Sequence, residues 1–199
     1  LGTSFEVILH QSHIDDDGLR ELIWENADRK EFTDGWIAFY DVCESPWWRR
    51  AWVAQEFMVS DKATFLFGPH SIPHKKLIFV LGSLMMTGPG LAYLTDEHHF
   101  LHYANYDIDS PHHRQFYRVV EHVKSLQLDK TEGAVRVMVS TKFIWREISD
   151  LKRLLLDSRC REASDERDRI YSVIGLADPG YGIVPNYLPE NRWNDVLVE

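Results

Sequence analysis

Three groups of residues have the types and spacing from which chemistry could be built. In ESPWWRRAWVAQEF, residues 44–57, Arg49, Arg50, Gln55 and Glu56 are interleaved with Trp47, Trp48 and Trp52. An amide or carboxylate among large apolar groups is costly to bury unless hydrogen-bonded or paired. Gln55 and Glu56 therefore need partners such as Arg49, Arg50 or a backbone segment, or else Glu56 opens to a cleft as a candidate catalytic carboxylate. In residues 153–180, arginines and acidic residues surround a helix start. There Asp165 and Arg169 form an i,i+4 pair of favourable polarity, and Arg167 and Arg169 could bind an anionic group. In EHHFLH, residues 97–102, His98 and His102 have the i,i+4 spacing of helical metal sites. Zinc would need a third ligand such as His112 or His113, and the glutamate precedes the histidines, so the metalloprotease order is absent. His98 and His102 remain weak candidates, and no metal site is expected.

No GxSxG, phosphate-binding loop or dinucleotide fingerprint occurs, so no catalytic motif and no cofactor is read. The more ordinary reading is structural. A polar set inside an apolar helix orients it against its neighbours, and a dense ion network fixes how a loop docks.

These residues need elements to hold them. Ser45-Pro46 is a helix start, because serine caps orphan N–H groups and proline suits the first helical position. One helix is predicted over 46–59, with Trp48, Trp52, Gln55 and Val59 on one face. A preceding helix covers 33–43, with Thr33 as N-cap and Trp36, Phe39, Tyr40 and Cys43 inward. Residues 63–68 read as a short buried strand, 73–86 as a buried helix stopped by GPG at 88–90, and 88–112 as loop. Ser110-Pro111 starts a helix with Phe116, Val119, Val120 and Val123 inside. Residues 134–139 fit strand or helix. A helix over 142–156 and another over 165–174 follow, the second capped by Ser164 and closed by Gly175 in a left-handed cap before Leu176. The start of the chain, 3–13, fits a short strand.

The composition sets wider bounds. With 199 residues, 44% of them hydrophobic, the chain can build one sizeable core or two small ones. A net charge of -9 argues against nucleic acid and anionic membrane as partners, since phosphate neutralisation needs surplus Lys and Arg. The longest apolar run, residues 77–86, falls short of the roughly 20 residues that span a bilayer. Cys43 and Cys160 suggest neither a disulfide framework nor a cysteine zinc site, and a reducing, cytoplasmic location is expected. A start at Leu1 and an amphipathic pattern running to Glu199 suggest a segment of a longer protein.

Two stretches together resemble fungal heterokaryon incompatibility (HET) domain proteins. PWWRRAWVAQE is similar to that family's PWF-x-R-x-W-x-x-QE segment, through Pro46, Trp47, Arg50, Trp52, Gln55 and Glu56, with Trp48 in the aromatic slot and Trp36 in the preceding helix. SDERDRIYSVIGLA is similar to its D-x-RD-x-x-Y-x-x-x-GL segment, through Asp165, Arg167, Asp168, Tyr171, Gly175 and Leu176. VPNY at 184–187 resembles the P-D-Y that often follows, with Asn186 in place of the acid.

The resemblance implies the C-terminal part of a HET domain, residues 1–60, with a helical continuation over 61–199 packed on it as one unit. The fold class expected is mainly α with a few short strands, belonging to a larger α/β domain whose N-terminal half is missing. It also implies a signalling and interaction module of fungal non-self recognition, leading to growth arrest or programmed cell death through a protein partner or self-association. The alternative is part of a nucleotide (NAD) hydrolase similar to Toll/interleukin receptor domains, with nucleotide bound only by the complete domain and Glu56 or Arg50 bordering its pocket.

Overall fold

The structure, a computed structural model, describes residues 16–86, 109–144, 150–178, 181–192 and Val196. Among them the fold is mainly α, as the sequence pattern predicts, with one two-stranded antiparallel sheet. The helices are α1 (Asp16–Glu25), α2 (Lys30–Glu44), the 3-10 turn η1 (Pro46–Arg49), α3 (Ala51–Val59), α4 (His74–Met86), α5 (Pro111–Ser125), α6 (Leu128–Ile144), α7 (Leu151–Asp157) and α8 (Asp168–Ile174). The hairpin joins β1 (Thr64–Phe67) to β2 (His70–Pro73), pairing Thr64 with Pro73 and Phe67 with His70. Gly68 turns it with φ +53, a conformation that favours glycine. No helix of the described residues is long and apolar enough to cross a membrane.

The chain divides into two compact units, one of residues 1–44 and 64–132, the other of 45–63 and 133–199. The divisions fall after Glu44, Ala63 and Glu132, the last inside α6. Neither unit is continuous in sequence.

In the first unit α2 and α5 pack together. Phe32, Trp36, Phe39 and Tyr40 are buried and meet mostly edge to face, with Trp36 and Phe39 centroids 5.8 Å apart. The predicted inner face of α5, Phe116, Val119, Val120 and Val123, is buried, and Ser110 caps the helix by accepting from His113 N at 3.2 Å. Polar rungs flank this apolar seam: Arg118 donates to Asp34 at 2.5 Å, and His122 lies 2.7 Å from Asp41. Cys43 is fully enclosed, and burial pushes its thiol pKa up.

Two expectations for this unit need correction. Thr33 lies within α2 and does not cap it; its hydroxyl donates to Lys30 O at 3.0 Å and accepts from Arg118 at 2.9 Å. The strand near 63–68 is not buried, since a lone hairpin has two faces to cover and Leu66 is 75% exposed. Residues 1–15 and 87–108, which include the predicted first strand, GPG and the His98–His102 pair, lie outside the described residues.

In the second unit α3, α7 and α8 pack together. Ile170, Tyr171 and Val196 form a small cluster with Leu155, Ile174 and Ile183 against it. Residues 134–139, which fit either strand or helix by pattern, are helical within α6. The helix predicted over 142–156 is interrupted: α6 ends at Ile144, and Asp150, extended at ψ 114, starts α7 by accepting from Lys152 N at 3.1 Å. An Asp N-cap ends one helix's continuity wherever its side chain takes an N–H that the helix would otherwise leave orphaned.

Candidate functional site

The segment that opens with Ser45-Pro46 does start as predicted, with Ser45 accepting from Trp47 N at 3.3 Å. It is not one helix. Arg50 is extended, at φ -68 and ψ 130, between η1 and α3. A one-residue parallel bridge to Glu162 holds it there: Glu162 N donates to Arg49 O at 2.5 Å, and Ala51 N donates to Glu162 O at 3.0 Å. Arg49 also pairs with the Glu162 carboxylate at 3.3 Å. Arg161, only 3% exposed, donates to the carbonyl of Trp48. Burial holds its pKa below the ordinary arginine value.

The break changes which residues face inward. A continuous helix would put Trp48, Trp52 and Val59 on one face, but an extended residue at 50 resets the phase. Trp48 is 1% exposed while Trp52 is 38% and Val59 48% exposed. The inner face of α3 is Ala51, Val53, Ala54, Phe57 and Met58. At its C-terminal end Lys142 donates to the carbonyls of Phe57, at 2.6 Å, Met58 and Ser60, and its ammonium stands 4.9 Å from the Phe57 ring centroid. A cation on the last carbonyls of a helix satisfies groups that have no intrahelical donor.

The Gln-Glu pair divides between the two sides. Gln55 turns toward α8, so that a Cβ on residue 175 would stand 2.2 Å from its Nε2. Gly175 is not in the predicted left-handed cap: its φ is -65 and its ψ -10. What a side chain there would meet is the amide at the far end of Gln55, a flexible group that can swing aside, and no backbone of α3. Glu56 is exposed and makes no ion pair with Arg50 or any other described residue; the expected pairing goes instead to Arg49 and Glu162. The carbonyl oxygen of Gln55 and the hydroxyl of Ser172 are enclosed without a hydrogen-bond partner among the described residues.

The second motif holds a strap of chain, residues 186–191. Asp165 caps the turn before α8, in the place expected of Ser164, by accepting from Arg167 N at 3.0 Å. Its carboxylate takes the Arg167 guanidinium at 2.9 and 2.6 Å, so the pair is 165–167 and not the predicted 165–169. Arg167 then donates to the carbonyls of Leu188 at 2.9 Å and Asn191 at 2.8 Å. The Tyr171 hydroxyl accepts from Asn186 N and donates to Asn186 O, both at 3.0 Å. Tyr187 donates to Asp168 at 2.5 Å, and its ring lies 5.3 Å from the Arg167 guanidinium and 5.2 Å from the Tyr171 ring. Loss of hydration and the neighbouring Asp168 carboxylate push the Tyr187 pKa up to about 12. The Arg167 beside Asp165 holds that carboxyl below the usual carboxylate range.

Arg167 is thus committed to the chain itself and is not the open anion site that the sequence allowed. Asp165, Arg167, Asp168 and Tyr171 all serve the strap, Leu176 is buried, and Gly175 receives Gln55. Trp36 is buried in the other unit. What the fold leaves unspent from the two motifs is the outer side of the first: Arg50, Trp52 and Glu56 are exposed.

An open depression of about 490 Å³ adjoins the clamp, lined in part by Asp165, Arg167 and Arg192, and one of about 430 Å³ lies beside α7; Glu56 lines neither. Among the described residues no set of three or more His, Cys, Asp or Glu could hold a metal. His112 stands 3.7 Å from Asp28, and the His113 ring lies 4.2 Å from the Tyr117 ring. Sequence reasoning passed over Arg161, Glu162 and Lys142, each of which acts on backbone far away in the chain. No periodicity marks such a residue. Comparison with protein-family models, curated proteins and solved structures finds no match for this chain.

Proposed function

We propose that this chain is a signalling and interaction module of fungal non-self recognition, part of a HET-like domain, and that the outer side of α3 is where it docks. The observation that carries this reading is the unequal use of the two motifs. The residues of the second are spent on internal hydrogen bonds, whereas Trp52, Glu56 and Val59 stand exposed at helical spacing on α3. Exposed aromatic residues on a rigid helix are favoured anchors in protein interfaces. Supported on its inner face and closed by Lys142, α3 presents them without flexible support.

The second reading, part of a nucleotide hydrolase, draws on one observation: Glu56 is an exposed carboxylate with no partner among the described residues. One experiment separates the two. The full-length gene product is induced in a filamentous fungus at matched levels beside its Trp52→Ala and Glu56→Ala forms, with viability and cellular NAD followed together. Arrest that needs Trp52 and proceeds with NAD intact supports docking. Depletion of NAD before membranes fail, abolished by Glu56→Ala alone, replaces it with the enzyme reading.

A further inference from the structure

The outer stripe of α7 sets cations beside exposed apolar groups. Lys152, Leu155, Leu156 and Arg159 follow one another at steps of 3, 1 and 3 residues, which places them on one side of a helix. The helical course reaches Arg159, because Ser158 keeps right-handed angles and Arg159 N donates to Leu156 O at 3.4 Å. Leu156 is 43% and Tyr181 44% exposed, and together with Leu155 they floor the depression of about 430 Å³. Tyr181 is fixed there, its hydroxyl accepting from Leu151 N at 3.2 Å and donating to Asp150 at 3.3 Å. Lys152 and Arg159, at either end of the floor, have no ion pair among the described residues, while Arg153 beside them pairs with Asp157 at 3.5 Å. The acid in the lining, Asp150, is engaged as the N-cap of α7 and as the acceptor from Tyr181.

We propose that this stripe docks an acidic amphipathic helix of a partner protein. The occupant fitted by it carries an acid, two apolar residues and an acid at the same spacing. The two cations are seven residues apart, about 10 Å along the helix axis, which matches two turns of a partner helix. Their charges complement acids in a chain of net charge -9, where most surface would repel them. An anionic bilayer is disfavoured by that same net charge, and a floor this small belongs to transient contacts. The surface does not include the exposed side of α3, and the inference does not depend on the function proposed above.

The test uses two stapled helical peptides, one with Glu at both ends of a Leu-Leu stripe and one with Lys there, titrated against the full 199-residue chain by fluorescence anisotropy at low salt. The Glu peptide is expected to bind at least about tenfold more tightly, a preference that falls as salt is raised. The Lys152→Glu, Arg159→Glu double variant is expected to reverse it. Equal binding of the two peptides, or no binding of the Glu peptide at millimolar concentration, overturns the proposal without any variant needing to fold. A preference that survives the charge reversal in a variant of unchanged circular dichroism also overturns it.

Discussion

The amide of Gln55 fills the space that a side chain on residue 175 would need: Nε2 lies 2.2 Å from the position of a Cβ there. This contact, one of those between α3 and the end of α8, spans 120 residues of sequence and is made by the movable end of the Gln55 side chain. The backbone at 175 does not require glycine either, since its φ is -65.

The sign of a substitution follows. Were the glycine merely a loose link, Gly175→Ala would stabilise by about 0.4–1 kcal/mol through the unfolded chain. With the movable Gln55 amide in the way that gain is expected to be cancelled, and Gly175→Ala to destabilise by about 1 kcal/mol or less. Adding Gln55→Ala should restore most of the loss. Urea unfolding of the two single variants and the double variant measures the coupling, and additive losses would refute the contact.

Trp48 and Trp52 should behave as opposites although they are four residues apart. Trp48→Ala removes a side chain 1% exposed and is expected to cost about 3–5 kcal/mol. Trp52→Ala, at a site 38% exposed, should cost about 1 kcal/mol or less. Equal losses would mean that the helix runs unbroken through Arg50.

Arg161 combines a buried charge with a bond to the Trp48 carbonyl. Arg161→Ala is expected to cost about 2–4 kcal/mol, from the cavity and the orphaned carbonyl together. Arg161→Met keeps much of the volume and removes the desolvated charge, so its loss should be smaller. Thermal unfolding of both variants at one pH tests the order; a Met form no better than the Ala form would show that the hydrogen bond dominates.

Tyr187 gives the strap a dependence on alkaline pH. Its pKa is raised from 10.0 to about 12, so the protonated hydroxyl is the form that the fold prefers. Its contribution is complete below pH 10 and is lost as pH rises toward about 12. Stability measured by urea unfolding is expected to fall across that window, and Tyr187→Phe should remove that part of the fall. Asp165 has the opposite sign: lowered from 3.8, its contribution is present above that value and fades as pH falls further. A strap insensitive to pH on both sides would disprove the polar clamp.

Local rules determined much of this protein from sequence alone. The mainly helical class, the Ser45 and Ser110 caps, the inner face of α5 and the buried aromatic run of α2 were legible, because periodicity and capping act over a few residues. The two motif segments were legible as motifs, but their roles were not. Tertiary structure decided that Arg50 is extended, that Trp52 turns outward, that Glu162 takes Arg49 while Glu56 has no ion pair among the described residues, and that Arg167 grips a strap instead of an anion. Each of these depends on backbone carbonyls and N–H groups brought in from elsewhere in the chain. Such groups are the same at every residue, so no side-chain pattern records where they will be, and only the folded chain places them.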